Sequence, residues 1–247
     1  MKAFFLVGPT AVGKTSVAQY IAENDGSEIL SADSMIVYNG MDIGTAKPTE
    51  EEQSKVVYHG LDIIEPTELY NAGRYREYAL KVIKEASGRG SRTLVVGGTG
   101  LYVKVLTDGI DQEWSKDPAY APIAGLRMPT DVLAERIRTR VHDMYEQGFE
   151  EEVAGLIEKH GKLSGTAEKA IGYAEVLDIL NGRISREEAI EKTIVRTRQF
   201  AKRQMTWFRH QALIKWIDIS PEVDLEEVAR LVIGHWEEWG PTDIKEK

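Results

Sequence analysis

The chain contains no cysteine, which excludes disulfides and thiolate metal sites. It has no apolar run of the length needed to cross a bilayer. The first apolar stretch covers only Ala3–Val7, too short for the core of a signal peptide, so a cytoplasmic location is expected. The five histidines (His59, His142, His160, His210 and His235) are scattered, with no two at metal-ligand spacing, which argues against a transition-metal site. Repeats and low-complexity tracts are absent. Cations are in deficit as well: 31 Lys and Arg face 40 Asp and Glu, a net charge of −9. Generic nucleic-acid binding is therefore disfavoured.

The 247 residues, 42% hydrophobic and 29% charged, suit an ordinary globular protein, and residues 1–247 are expected to form one domain. The first half alternates strand and helix patterns. Strands are expected at Lys2–Val7, Glu28–Ser31 and Thr93–Val96. Helices are expected at Lys14–Asn24, over Tyr75–Ala86 and restarting at Thr99. That order predicts an α/β fold: a P-loop NTPase-like parallel sheet flanked by helices. The second half reads as mostly helical. Thr130 is the expected cap of a helix with Leu133, Ile137, Val141, Met144 and Tyr145 on one stripe, pausing at Gly148. Thr166 is expected to cap another helix, ending at Asn181-Gly182. The Ser185/Glu188 capping box opens one running to about Arg209. A last strand is expected at Leu213–Ile217 and a final helix at Val223–Ile233, within an acidic 221–247 segment whose tail after Trp239 is expected to fray. Residues 108–129, with three prolines and little periodicity, read as a connection between the halves.

Gly8-x-x-x-x-Gly13-Lys14-Thr15 matches the P-loop pattern between a strand and a helix. Backbone N–H groups of Gly8, Thr10, Ala11, Val12, Gly13 and Lys14 are candidates to converge on phosphate oxygens, with the Lys14 ammonium and a Thr15 hydroxyl suited to Mg²⁺. A hydrolase of this type also needs an acid ending a buried strand. Here that strand ends in Val95-Val96-Gly97-Gly98, which counts against an ATPase or GTPase and suggests close backbone approach to a ligand. Asp33, after the second strand, is either a general base at the ligand crevice or a structural residue in an Asx-turn or helix cap. Between Arg186 and Trp216, eight Lys/Arg stand against three Glu, and Arg196, Gln199 and Arg203 share a helix face. That stripe either binds an anion or makes salt bridges.

Taken together, GPTAVGKT, SADSMIVYNGMDIGTAKPT, HGLDI, VVGGTGLY, RIRTRVHDMYEQGFEEEV, AIGY and TRQFAKRQMTWFR resemble the tRNA dimethylallyltransferase (isopentenyltransferase) family, in its order and up to about residue 217. The resemblance implies prenyl transfer from dimethylallyl diphosphate to the exocyclic amine of an adenine, in the tRNA anticodon loop at the position 3′ of the anticodon. It implies Asp33 as base, Thr99 near the target amine, and Thr10 beside the prenyl diphosphate. Arg203, with Lys202 and Arg198, becomes the expected diphosphate ligand, and Ser34, Met35 and Ile36 the acceptor contacts. Mg²⁺ on Thr15 is the implied cofactor, and a monomer is favoured.

Two departures stand out. Ile36 occupies a position where the family usually has Gln, and Val37-Tyr38-Asn39 replaces Val-Tyr-Arg. The helical insertion that grips the anticodon stem-loop is replaced by the short 108–129 stretch. Free AMP, ADP or ATP as acceptor is the nearest competing reading. A non-catalytic nucleotide or RNA binder and a small-molecule kinase are more distant ones.

Overall fold

The computed structural model describes residues 1–109, 123–220 and 222–246. In chain order its elements are β1 (Lys2–Val7), α1 (Lys14–Asp25), β2 (Glu28–Ser31), α2 (Glu50–Lys55), β3 (Tyr58–His59), α3 (Ala72–Gly88), β4 (Thr93–Gly97) and α4 (Gly100–Thr107). They continue with β5 (Ile123–Arg127), α5 (Thr130–Glu146), α6 (Phe149–His160), α7 (Gly165–Glu168) and α8 (Tyr173–Leu180). The last are α9 (Arg186–Gln211), β6 (Ile214–Asp218), α10 (Leu225–Trp239) and β7 (Thr242–Asp243).

The sheet order is β3-β2-β4-β1-β5-β6, every pair parallel, with β7 running antiparallel against the start of β1. β1 is covered on both faces, as a parallel strand requires. Phe5 and Val7 join the layer formed with α3 and α4, while Leu6 joins the larger layer with α1, α5, α6, α8 and α9. Parallel pairing places the carboxyl ends of β1, β2, β4 and β5 along one edge, where the site is built.

The α5 stripe is buried as its periodicity predicts, and Gly148, in the left-handed region, separates it from α6. The Ser185–Glu188 box closes with both of its hydrogen bonds, at 3.2 and 3.0 Å. Several expectations are corrected. Thr130 is the first residue of its helix, after Pro129, and makes no cap bond. Ser164, not Thr166, caps α7, and its hydroxyl accepts from Ala167 N at 3.3 Å. The 108–129 stretch is not all connection: residues 110–122 lie outside the described residues, but Ile123–Arg127 is an inner strand. Nor is the tail frayed. After α10, whose cap is Asp224, β7 pairs with Lys2 and Ala3, and Ile244 N donates to Met1 O at 2.9 Å. Buried Arg76 then donates to Lys245 O at 2.7 Å, tying the tail to α3. Periodicity could not show this, because two-residue strands carry no pattern.

Candidate active site

The loop from Gly8 to Thr15 leaves β1 at the sheet edge and wraps toward α1. Gly8 has φ +148° and sits so close to β5 that a Cβ there would meet Leu126 O at 2.5 Å. α1 starts at Gly13 with no side-chain cap, so its first N–H groups are left for a ligand. Lys14 folds back, its Nζ donating to Pro9 O at 2.7 Å. Thr10, Ala11, Gly13, Lys14 and Thr15 line a cleft of about 510 Å³ with Asp33, Ile36 and Arg140, whereas Val12 is buried beneath.

Asp33 follows β2. Its Oδ1 accepts from Met35 N at 2.9 Å, so the Asx-turn is present. Oδ2 has no hydrogen-bond partner among the described residues, and the carboxylate lines both the cleft and an inner recess. The turn thus leaves one carboxylate oxygen available to the cleft. Thr99 Oγ1 accepts from Ser34 N at 3.1 Å, and Thr99 N donates to Ala32 O. Ser34 and Thr99 therefore brace the ends of β2 and β4 behind Asp33, without lining the cleft.

Burial pulls the Lys14 ammonium down to about 8, against the opposing pull of Asp33, with Arg140 lowering it further. Arg140 is also pushed below its ordinary value by burial and raised by Asp33. It reaches Thr10 Oγ1 and Thr45 O, each at 3.5 Å. Two cations and the Asp33 carboxylate therefore share one cleft beside the Gly8–Thr15 loop, near enough to influence one another without forming an ion pair. Arg140 was not singled out in sequence. The spacing of Arg136 and Arg140, one helical turn apart on α5, carried the signal, and both line the cleft.

The basic helix behaves differently from expectation. Arg198 and Lys202 line a neighbouring groove of about 560 Å³ with Arg127 and Arg209, and Arg203 lies on a third, shallower one. None of the three lines the phosphate cleft. Arg196 is bound to buried Glu175 and to Lys169 O, so for it the salt-bridge reading holds. The α9 residue that does reach the loop is Gln204: its Oε1 accepts from Thr10 N at 2.8 Å and its Nε2 donates to Gly98 O at 3.0 Å. The glycines after β4 make room for neighbouring protein as well as for the cleft, which Gly97 lines. A Cβ on Gly97 would strike Ala32 O, one on Gly98 would strike Gln204, and one on Gly100 would strike Trp207. They admit neighbouring protein.

A family model described as IPPT, IPP transferase, matches residues 36–123 and 111–211. The chain belongs to the IPP transferase family. A relative named tRNA dimethylallyltransferase, from Pelotomaculum thermopropionicum, is 36% identical over 292 aligned positions, covering 91% of this chain and 93% of the relative. Since that alignment is longer than the chain, the relative carries segments absent here, and the two matched stretches of the family model meet at 111–123. Among solved structures, the tRNA isopentenylpyrophosphate transferase of Bacillus halodurans superposes with a TM-score of 0.83. It is 31% identical, with 96% of this chain and 97% of that one covered. The tRNA delta(2)-isopentenylpyrophosphate transferase of Staphylococcus epidermidis gives 0.85 at 28% identity, covering 96% and 100%. This IPP transferase family member is accordingly an enzyme of the prenyltransferase class. None of the helices among its described residues is long and apolar enough to cross a membrane.

The rim of the cleft in this IPP transferase is held by Glu152 of α6. Its carboxylate accepts from Asp42 N at 3.0 Å, Ile43 N at 2.6 Å and Gly44 N at 3.4 Å, and from the Tyr173 hydroxyl at 2.6 Å. The loop so fixed supplies Thr45, Ala46 and Lys47 to the cleft. Glu152→Gln keeps the size but removes the charge and an acceptor. It is expected to cost about 2 kcal/mol, the range of a hydrogen bond to a charged group, and to lower kcat/KM several-fold. Melting curves and steady-state rates check both; a variant unchanged in each contradicts the role.

No cluster of three or more His, Asp or Glu able to hold a metal occurs among the described residues. The Thr15 hydroxyl lines the cleft, and as a hard oxygen donor it fits a Mg²⁺ ion that would take its other ligands from water and a bound anion.

Proposed function

We propose that this chain transfers the dimethylallyl group of dimethylallyl diphosphate to N6 of adenosine 37, just 3′ of the anticodon in tRNA, releasing diphosphate. The observation that carries the reading is the position of Asp33, whose free carboxylate oxygen sits where the phosphate-binding cleft meets an apolar recess. An exocyclic adenine amine is a poor nucleophile, its lone pair delocalised into the ring. As N6 attacks C1 of the allyl group, the C1–O bond breaks and diphosphate leaves with the bonding electron pair. Asp33 takes the proton that N6 sheds. Charge building on the leaving oxygens is met by Lys14, by Arg140 and by the N–H groups at the start of α1. Mg²⁺, held by Thr15, would supply further neutralisation of the diphosphate.

The acceptor follows from the relatives: those named above all carry tRNA in their names, which favours tRNA over a free adenine nucleotide. Arg198, Lys202 and Arg209 rim the neighbouring groove, and we assign them to the acceptor's phosphates rather than to the donor. Labelled dimethylallyl diphosphate offered with unmodified tRNA or with AMP tests the reading. Label is expected in tRNA at that adenosine. Label in AMP alone, or in neither, overturns it.

A further inference from the structure

The Gln204 side chain is buried, and both ends of its amide are engaged. Its Oε1 accepts from Thr10 N at 2.8 Å and its Nε2 donates to Gly98 O at 3.0 Å. One partner is a donor and the other an acceptor, so the amide fits in one orientation only. The support is stiff: Ala201 and Phe208, three residues before and four after on α9, are buried on the same side of the helix.

At Thr10 the tie takes up a loop N–H that phosphate would otherwise find free. The next residue, Ala11, has φ +63°, a left-handed conformation that a side chain disfavours. That bend is held from both sides, by Gln204 on Thr10 and by the buried Val12 side chain. At Gly98 the tie reaches the strand end that leads to Thr99. Thr99 N donates to Ala32 O and Thr99 Oγ1 accepts from Ser34 N at 3.1 Å, so its two bonds grip the residues on either side of Asp33. A Cβ on Gly98 would strike Gln204 and lie 3.2 Å from Gly8 O. The phosphate loop, the end of β4 and α9 therefore meet at this one point.

Resting on the prenyl-transfer reading, we propose that Gln204 is a positioning residue, which sets the separation between the loop holding the leaving diphosphate and the strand ends carrying the base Asp33. Lys14, Arg140 and the N–H groups at the start of α1 hold the diphosphate without it. What Gln204 adds is the alignment of C1 with N6 and of N6 with Asp33, where a misplacement of about 1 Å costs on the order of 10²-fold.

Gln204→Met keeps the length of the side chain and removes both hydrogen bonds. With tRNA as acceptor, kcat is expected to fall about 10- to 100-fold. The dissociation constant of dimethylallyl diphosphate, from calorimetric titration, and KM for tRNA should each change less than about threefold, the mark of an interaction that matters to the transition state alone. A merely structural role moves the melting temperature and leaves kcat below it unchanged. Gln204→Glu keeps an acceptor for Thr10 N but, when ionised, has no donor for Gly98 O. It should retain slow amide hydrogen exchange at Thr10, lose it at Thr99 and show a similar loss of kcat, and it stands alone should Gln204→Met not fold. Wild-type kcat in either folded variant, or a loss in Gln204→Met accounted for entirely by weaker donor binding, overturns the proposal. If the wild type transfers no label to any acceptor, the prenyl-transfer reading fails instead. The tie is then read from amide exchange alone: Gln204→Met should speed it about tenfold or more at both Thr10 and Thr99, and an unaltered rate at either one overturns the proposal.

Discussion

Asp33→Asn is expected to lower kcat by about 10²–10⁴-fold, the range over which a positioned general base contributes, while the prenyl diphosphate still binds. Asparagine is the informative replacement. Its side-chain oxygen can still accept from Met35 N, as Oδ1 does at 2.9 Å, so the turn after β2 survives while the base is lost. The variant separates two jobs that one carboxylate performs. A melting temperature close to wild type with turnover nearly abolished is the expected pair of results. Wild-type kcat in Asp33→Asn would remove the base assignment, and a large loss of stability would show that the charge serves the fold. The Asp33 charge raises Lys14 against burial, so the variant should also let Lys14 lose its proton more readily.

Lys14→Met carries the second large effect. Losing a charge-assisted hydrogen bond to phosphate costs about 1.5–3 kcal/mol, so donor affinity should fall roughly 10- to 100-fold. The pH dependence supplies a signature that simple misfolding would not. In the ligand-free protein burial disfavours the charged form and pulls Lys14 from its ordinary 10.5 down to about 8. The folded state therefore holds fewer protons than the unfolded chain between about 8 and 10.5, and Lys14 makes stability rise with pH across that window. Below about 8 the buried charge is a cost. Lys14→Met should accordingly be more stable than wild type at neutral pH without ligand, and should lack the rise. Donor affinity should run the other way in wild type, declining as pH climbs past about 8, and be flat in Lys14→Met. Thermal melts and donor titrations over pH 6–10 measure both; parallel profiles for the two proteins contradict the assignment.

The parallel sheet was legible because β1, β2 and β4 are short, mostly apolar runs separated by helical spacing, and strands buried on both faces have no other signature. β5 escaped notice for a local reason: Ile123–Arg127 contains Gly125 and follows a proline-rich stretch, so nothing in it alternates or repeats. At the site, the loop and Asp33 were visible because chemistry dictates their residue types. What spacing could not reveal was which face of α9 turns inward. Arg196, Gln199 and Arg203 share a helical face, yet it is Gln204, one position beyond Arg203, that reaches the loop. A buried glutamine bridging two backbone groups has no sequence signature, whereas a run of arginines draws attention wherever it points.

The bridge made by Gln204 is electrically neutral. An amide side chain neither titrates nor responds to ionic strength as an ion pair does, so the register of the phosphate loop against β4 and α9 stays fixed from acid to alkali. Acidity therefore acts on the cleft through charge, that of Lys14 above all, while this tie does not respond to it.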